Sequence, residues 1–135
     1  MAGKYSAYAA AECDLCEEGK YSAEDESTTC TSCLSGTVQP AEGQTSCNDC
    51  ATGKAQLATG QTGCVVCEAG KYAASTGSSL CTECSTGKYQ NVVEQSACTS
   101  CAAVMYAGQT GLEHCDACEP SEFTSAEGSF ACSLC

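Results

Sequence analysis

The sequence has few of the residues from which a globular domain builds its core. It contains no tryptophan and no isoleucine, and Leu, Val and Phe together supply 14 of its 135 residues. This share lies well under the roughly 20% below which a strongly charged chain is expected to be disordered. We therefore expect no single hydrophobic core, and covalent bonds or metal ions must stabilise the fold.

Arginine is absent as well, and acidic residues outnumber basic ones, so that the net charge is −12 at pH 7. Arginine is the usual bidentate ligand of phosphate, and binding to nucleic acid depends on neutralising phosphate charge, so we expect no nucleic-acid partner. No apolar run is long enough to span a bilayer, which predicts no membrane span. The N-terminal segment lacks the apolar stretch of a secretion signal. We expect either that a signal was removed or that the chain is part of a longer one.

The chain also lacks a recognisable catalytic constellation. There is no Ser/His/Asp set, no phosphate-binding loop and no pair of carboxylates placed for acid–base chemistry. The acidic residues do not form a 12-residue calcium loop of the EF-hand type. His114 is the only histidine, and without a partner in the pattern we interpret it as an exposed loop residue. We predict no enzyme, no cofactor and no metal site.

What the chain does have is cysteine, 16 residues in all, and every one belongs to a Cys-x-x-Cys pair. Each pair begins 17 residues after the previous one, at Cys13 and Cys16, Cys30 and Cys33, Cys47 and Cys50, Cys64 and Cys67, Cys81 and Cys84, Cys98 and Cys101, Cys115 and Cys118, and Cys132 and Cys135. A short, strict period is typical of a solenoid or linear array. We predict one continuous array over residues 1–135, built as a small, disulfide-rich, mostly irregular β fold that forms an elongated solenoid-like rod of eight repeats.

Glycine and aromatic residues follow the same period. Glycine stands three residues after the second cysteine of a pair, at Gly19, Gly36, Gly53, Gly70 and Gly87, and is replaced by Val104 and Ser121. An aromatic residue often follows two positions later, at Tyr21, Tyr72, Tyr89, Tyr106 and Phe123, with Val38 and Ala55 in the other repeats. We expect this glycine to turn the chain with a positive φ, and the aromatic residue to lie on a short strand and cover neighbouring sulfur atoms.

A second glycine column lies four residues before a pair, at Gly43, Gly60, Gly77, Gly111 and Gly128, and is replaced by Glu26 and Glu94. We expect it to turn the chain back through a Ser/Thr-rich strand into the next pair. Helix is not predicted, apart from one turn in the alanine-rich segment 7–12, because no useful apolar stripe of helical period is present.

Cysteine pairs at this spacing could form disulfides or four-thiolate zinc sites. The acidic surface favours disulfides, because each four-thiolate zinc site would add negative charge. The basic residues that accompany zinc modules on nucleic acid are also missing. Acidic residues flank several pairs, and these raise the pKa of a thiol, which disfavours a redox role. Disulfides at this density place the chain outside the cell, whereas zinc would place it in the cytosol.

The phrases "CEEGKY", "CEAGKY" and "CSTGKY" carry a resemblance to a known family. The pattern Cys-x-x-Gly-x-Tyr, a loop of 13 residues and then Cys-x-x-Cys resembles the cysteine-rich repeats of ephrin-receptor-like and tumour necrosis factor receptor-like ectodomains, over essentially the whole chain. The resemblance implies an extracellular, disulfide-stapled, elongated fold, and it implies no particular ligand.

The resemblance also implies a pairing in which each 13-residue loop is closed by its own disulfide. Carried over, this gives Cys16–Cys30, Cys33–Cys47, Cys50–Cys64, Cys67–Cys81, Cys84–Cys98, Cys101–Cys115 and Cys118–Cys132, and leaves Cys13 and Cys135. The alternative is a crossed ladder, such as Cys13–Cys30 with Cys16–Cys33, which doubles the period to 34. Acidic residues do alternate, because Asp14, Asp49, Glu83 and Asp116 lie inside every second pair. This alternation could reflect the crossed ladder or the two faces of a twisting rod.

The ends of the chain would complete one more repeat, since Cys135 followed by "MAGKY" restores the pattern. We therefore expect either subunits joined head to tail through Cys135 and Cys13 or a window of a longer array. The predicted function is a structural component of an extracellular fibre, filament or surface appendage. The alternatives are a receptor or adhesin segment that binds a protein ligand, and a multi-zinc cysteine protein. The 30 Ser and Thr residues could carry O-glycans.

Overall fold

The computed structural model describes residues 2–6 and 12–135, so most of the segment in which a helical turn was expected lies outside the described residues. The described residues contain no helix and form sixteen two-residue strands that pair in order as eight hairpins. These are β1 (Lys4–Tyr5) with β2 (Asp14–Leu15), β3 (Lys20–Tyr21) with β4 (Thr31–Ser32), β5 (Thr37–Val38) with β6 (Asn48–Asp49), β7 (Lys54–Ala55) with β8 (Val65–Val66), β9 (Lys71–Tyr72) with β10 (Thr82–Glu83), β11 (Lys88–Tyr89) with β12 (Thr99–Ser100), β13 (Met105–Tyr106) with β14 (Asp116–Ala117), and β15 (Glu122–Phe123) with β16 (Ser133–Leu134).

Each hairpin joins the strand after the first glycine to the two residues inside the next cysteine pair. In the second hairpin Tyr21 lies opposite Thr31, and the Cys33 amide donates to the Gly19 carbonyl at 2.9 Å. The Ser/Thr-rich stretch before each pair, which the sequence predicted as a strand, consists instead of turns and bends. The reason is that the Cys-x-x-Cys segment itself supplies the second strand.

The chain divides into two compact units. The first contains Met1–Ala51, Ala55–Val65 and Thr76–Leu80, and the second contains Thr52–Lys54, Val66–Ser75 and Cys81–Cys135. Both are built from the same repeat. The prediction of a disulfide-rich, mostly irregular β fold with a 17-residue repeat is confirmed.

The interior of each unit consists of sulfur and small side chains. The first unit fully buries Cys16, Cys33 and Cys50, and the second buries Cys67, Cys84 and Cys101, all at 0–1% exposure. Around them lie residues such as Val38, Ala73 and Ala107. The large aliphatic and aromatic side chains are mostly outside, as at Leu34 (70% exposed) and Phe130 (66%). A hydrophobic core of the usual kind is absent from the described residues, in agreement with the composition.

Successive repeats are held together by main-chain hydrogen bonds. In the first unit the Gly19 amide donates to Gln39 O (2.7 Å), Ser22 to Gln44 O (3.1 Å) and Gly43 to Cys16 O (2.7 Å). The second unit repeats these bonds at Gly87 with Ala107 (2.8 Å), Gln90 with Leu112 (3.1 Å) and Gly111 with Cys84 (2.8 Å). Because the contacts involve backbone atoms, side chains can change from repeat to repeat without altering the packing.

Candidate functional site

Seven disulfides close the loops of the array. They are Cys16–Cys30, Cys33–Cys47, Cys50–Cys64, Cys67–Cys81, Cys84–Cys98, Cys101–Cys115 and Cys118–Cys132. The Cα atoms of each pair lie 5.6–5.8 Å apart, which is the usual separation for this bond. These are the pairs that the resemblance implies, and the crossed ladder is not formed. Closing a loop of this size stabilises the folded chain by roughly 3 kcal/mol in the chain-entropy description.

Two cysteines remain free, Cys13 and Cys135, and both are exposed. Cys135 nevertheless occupies the same place in its hairpin as the buried second cysteines, because its amide donates to Ser121 O at 2.9 Å. Its thiol is thus presented where the other repeats form a disulfide with the following loop.

The first glycine of each repeat lies in close contact with the repeat after next. Gly3, Gly19, Gly36, Gly53, Gly70 and Gly87 are buried and have φ between 77° and 83°. A methyl group on Gly19 would overlap the carbonyl oxygen of Gly60. The same close contact between a glycine and a later carbonyl oxygen is made by Gly3 with Gly43 and Gly36 with Gly77 in the first unit. In the second unit it is made by Gly53 with Glu94, Gly70 with Gly111 and Gly87 with Gly128. The positive φ was expected from the sequence, but this contact partner, about 41 residues away, was not.

The four positions where glycine is missing from the two columns keep the same backbone conformation. Glu26, Glu94, Val104 and Ser121 all have φ between 61° and 86°. At Glu94 an ion pair accompanies the substitution, since Lys54 Nζ lies 3.0 Å from the Glu94 carboxylate. The array therefore imposes the turn even on residues that disfavour it.

Two of the alternating acidic residues, Asp49 and Glu83, contact the repeat after next. The second residue inside a cysteine pair lies against the second glycine column of the repeat after next, as Asp49 does at Gly77 and Glu83 at Gly111. The Glu83 carboxylate accepts a hydrogen bond from Thr110 Oγ1 at 3.0 Å. The disulfides close single loops, so the alternation of acidic residues does not come from a crossed ladder.

The aromatic column lines shallow grooves beside the disulfides. Tyr5 shares a groove with Cys30, Tyr21 with Cys47, and Tyr72 with Cys98. Each of these cysteines belongs to the loop that follows the one carrying the tyrosine. Tyr21, Tyr72, Tyr89 and Tyr106 are half-buried, whereas Phe123 is exposed.

A glutamine clamp that the sequence analysis did not identify shapes three of the loops. Gln39 Nε2 donates to Ser46 O at 2.7 Å, while its Oε1 accepts from the Ala41 amide at 3.1 Å. Gln56 and Gln90 make the same two bonds in their loops. The signal in the sequence was a glutamine one residue after the aromatic position in three repeats.

The remaining candidate features carry no assembled chemistry. His114 is exposed, and the described residues contain no group of three His, Cys, Asp or Glu side chains that could hold a metal ion. Over the same part of the chain, no helix has the length and apolar character needed to cross a membrane.

The fold and its cysteines define a class: tandem cysteine-rich repeats, each closed by its own disulfide, of the kind that persists in oxidising, extracellular surroundings. A family model described as "Tyrosine-protein kinase ephrin type A/B receptor-like" matches residues 3–50, 19–63 and 70–111, which together cover more than half of the chain. The chain belongs to this ephrin-receptor-like family, and the resemblance stated above is confirmed. The match supports an extracellular, receptor-type segment. The comparison with curated proteins found no match.

Proposed function

We propose that this chain is a secreted, non-enzymatic structural element: a disulfide-stapled segment of an extracellular fibre, filament or surface appendage. The observation that carries the proposal is the uniformity of the repeat-to-repeat contacts. Each of three successive loops in the first unit uses the same backbone hydrogen bonds, and the second unit uses them again with different side chains. Such redundancy suits a mechanical role, because the repeats from Gly3 to Gly87 all make these contacts in the same way.

We further propose that successive chains join head to tail by a disulfide between Cys135 of one chain and Cys13 of the next. Both thiols are exposed and outside the seven disulfides. A contact that joins unlike ends of identical chains generates an open filament wherever the rotation from chain to chain does not close into a ring.

Oxidation of the purified chain tests the joint. We expect a ladder of oligomers on a non-reducing gel, a Cys13–Cys135 linked peptide by mass spectrometry, and filaments by electron microscopy. Cys135→Ser should stop assembly at dimers linked through Cys13, and Cys13→Ser should stop it at dimers linked through Cys135. A chain that stays monomeric under oxidation, or oligomers that form equally well in the double serine variant, would contradict the joint.

A receptor or adhesin segment is the second candidate, and the family match favours it. Exposed apolar side chains in the last repeats, such as Phe123 and Phe130, would supply contact area for a protein ligand. Under this alternative, Phe130→Ser should abolish binding of the chain to cells of its source while leaving oligomerisation unchanged. The structural role predicts no such effect.

The Ser and Thr residues support a further, separate proposal of O-glycosylation. Most of the loops that carry them are exposed, as at Thr28, Thr45 and Thr62. Intact-mass measurement of material from the native source should then exceed the mass of the polypeptide by sugar increments. A mass equal to that of the polypeptide would rule the glycans out.

A further inference from the structure

At the first glycine column, the backbone of a later repeat packs directly against each glycine. Its six glycines are buried, and each lies against a main-chain carbonyl 40 or 41 residues later in the chain. The obstacle to any larger residue is backbone, which cannot move aside as a flexible side chain can. Glycine is therefore required wherever the repeat after next is seated.

Val104 and Ser121 occupy the same position in the last two repeats and form the same turn. Their φ values are 67° and 86°. The Cys118 amide donates to Val104 O at 3.1 Å and the Cys135 amide to Ser121 O at 2.9 Å, as Cys33 does to Gly19 O at 2.9 Å. The backbone of both turns is thus placed as it is in the glycine repeats, and any residue packed there in the same register would meet a side chain.

Both side chains are exposed to solvent, whereas the glycines of the column are buried. Val104 is 60% exposed, and Ser121 is exposed as well. A β-branched residue is among the least suited to a left-handed turn, so the needs of the turn do not explain a valine here.

The contact with the next repeat changes at the same place. The Val104 amide donates to Thr124 Oγ1 at 2.8 Å, whereas the equivalent Gly87 amide donates to the backbone carbonyl of Ala107. Thr124 is buried, and its hydroxyl replaces a main-chain acceptor in this one step. Two independent features, a blocking side chain and an altered hydrogen bond, therefore coincide at the end of the second unit.

We propose that Val104 and Ser121 cap the stack: they prevent a further repeat from packing onto the last two in the register used inside the units. The cap acts equally on repeats that continue the same chain and on those of a second copy, so it does not rest on the proposed filament. If chains do join through Cys135 and Cys13, the joint lacks the glycine–carbonyl contacts. It is then held by its disulfide and by whatever new packing forms around Val104.

An extended chain tests the cap. A copy of residues 68–101 is fused after Cys135, which restores the repeat pattern and places the copied Gly77 and Glu94 where they would meet positions 104 and 121. The same fusion is made with Val104→Gly and Ser121→Gly. The unextended chain with and without these two substitutions serves as the control, and disulfide formation in the copied repeats is verified by mass before measurement.

The measurement is hydrogen exchange at the amide of the copied Gly77. In the unextended chain the amide of Gly77 donates to Cys50 O at 2.8 Å. If the repeat is seated, the copied amide should donate to Cys118 O. We expect it to exchange at least about tenfold more slowly in the glycine variant than in the fusion with Val104 and Ser121, because only the variant admits the contact. Exchange within residues 16–101 should be the same in all four proteins, which reports that the fold is intact. Equal protection in the two fusions, or no protection in either, would overturn the cap.

Discussion

At the scale of single residues, the close approach of Gly19 to Gly60 makes the sharpest prediction. Gly19→Ala should lower the free energy of unfolding by about 2–5 kcal/mol, because it combines a left-handed side chain with an overlap against backbone. Gly63→Ala is the matched control in the same unit, since no atom lies within 4 Å of the added methyl group. Thermal unfolding of both variants, with disulfides intact, measures the difference. Equal melting temperatures would contradict the contact.

Gln39 supports a loop by two hydrogen bonds rather than by contact with another repeat. Gln39→Ala should destabilise its loop by about 1–3 kcal/mol, because it removes the acceptor of the Ala41 amide and the donor to Ser46 O. Hydrogen exchange at Ala41 should accelerate. Gln44→Ala provides the control, because this exposed side chain donates a local hydrogen bond to Glu42 O at 3.1 Å, two residues away. Unchanged exchange at Ala41 would show that the clamp is not formed in solution.

The single residues also show what sequence reasoning could and could not reach. The positive φ at Gly19 follows from local turn chemistry, so it was predictable. Its packing against Gly60 was not, because that contact depends on how far the chain rotates between repeats. The role of Gln39 was partly predictable. The sequence shows that glutamine recurs at Gln56 and Gln90, but it does not show the hydrogen bonds that these side chains make.

At the scale of the repeat, each disulfide should stabilise its own loop, and the size of this stabilisation should depend on where the loop lies in the array. Cys50→Ala combined with Cys64→Ala should cost more than the roughly 3 kcal/mol of loop closure alone, because a fully buried sulfur is lost as well. The same double change at Cys118 and Cys132 should cost less, since these residues are only partly buried.

Cys13→Ser is the control for this comparison, because Cys13 is exposed and forms no disulfide within the chain. Its melting temperature should match that of the unchanged protein. Thermal unfolding of the three variants gives the ranking directly. An equal loss for the central and the terminal disulfide would show that burial of the sulfur does not contribute.

The hairpins show a second limit of sequence reasoning. The strand after the first glycine was predicted, because its Lys-Tyr pattern and the preceding turn are local signals. The pairing partner was assigned to the Ser/Thr-rich stretch, although the structure uses the residues between the cysteines, as at Thr31–Ser32. Two residues flanked by cysteines carry too little pattern to be recognised as a strand.

At the scale of the whole molecule, the composition and the burial agree on what stabilises the fold. The fully buried large side chains are cysteines, and most of the large aliphatic residues remain exposed. Complete reduction without denaturant should therefore unfold the chain, since the rest of the interior buries too little apolar surface to compensate for lost entropy. Loss of protection against hydrogen exchange throughout residues 12–135 is the expected result. Retained protection after reduction would point to a hydrophobic core or a metal.

The alternating acidic residues show how much of the fold the strict 17-residue period predicted. Their recurrence in every second pair suggested either crossed disulfides or two faces of a twisting array. The loop-closing disulfides exclude the crossed ladder, and Asp49 and Glu83 each lie against a turn of the repeat after next. Composition and period thus predicted the class of fold, whereas the contacts between alternate repeats did not follow from them.

Disulfide mapping of the oxidised, unreduced chain tests the central claim most directly. Proteolysis followed by mass spectrometry should yield seven linked peptides, each joining the second cysteine of one pair to the first of the next, from Cys16–Cys30 to Cys118–Cys132. Peptides that join Cys13 to Cys30 and Cys16 to Cys33, or sixteen thiols that react freely once the chain is denatured, would contradict it.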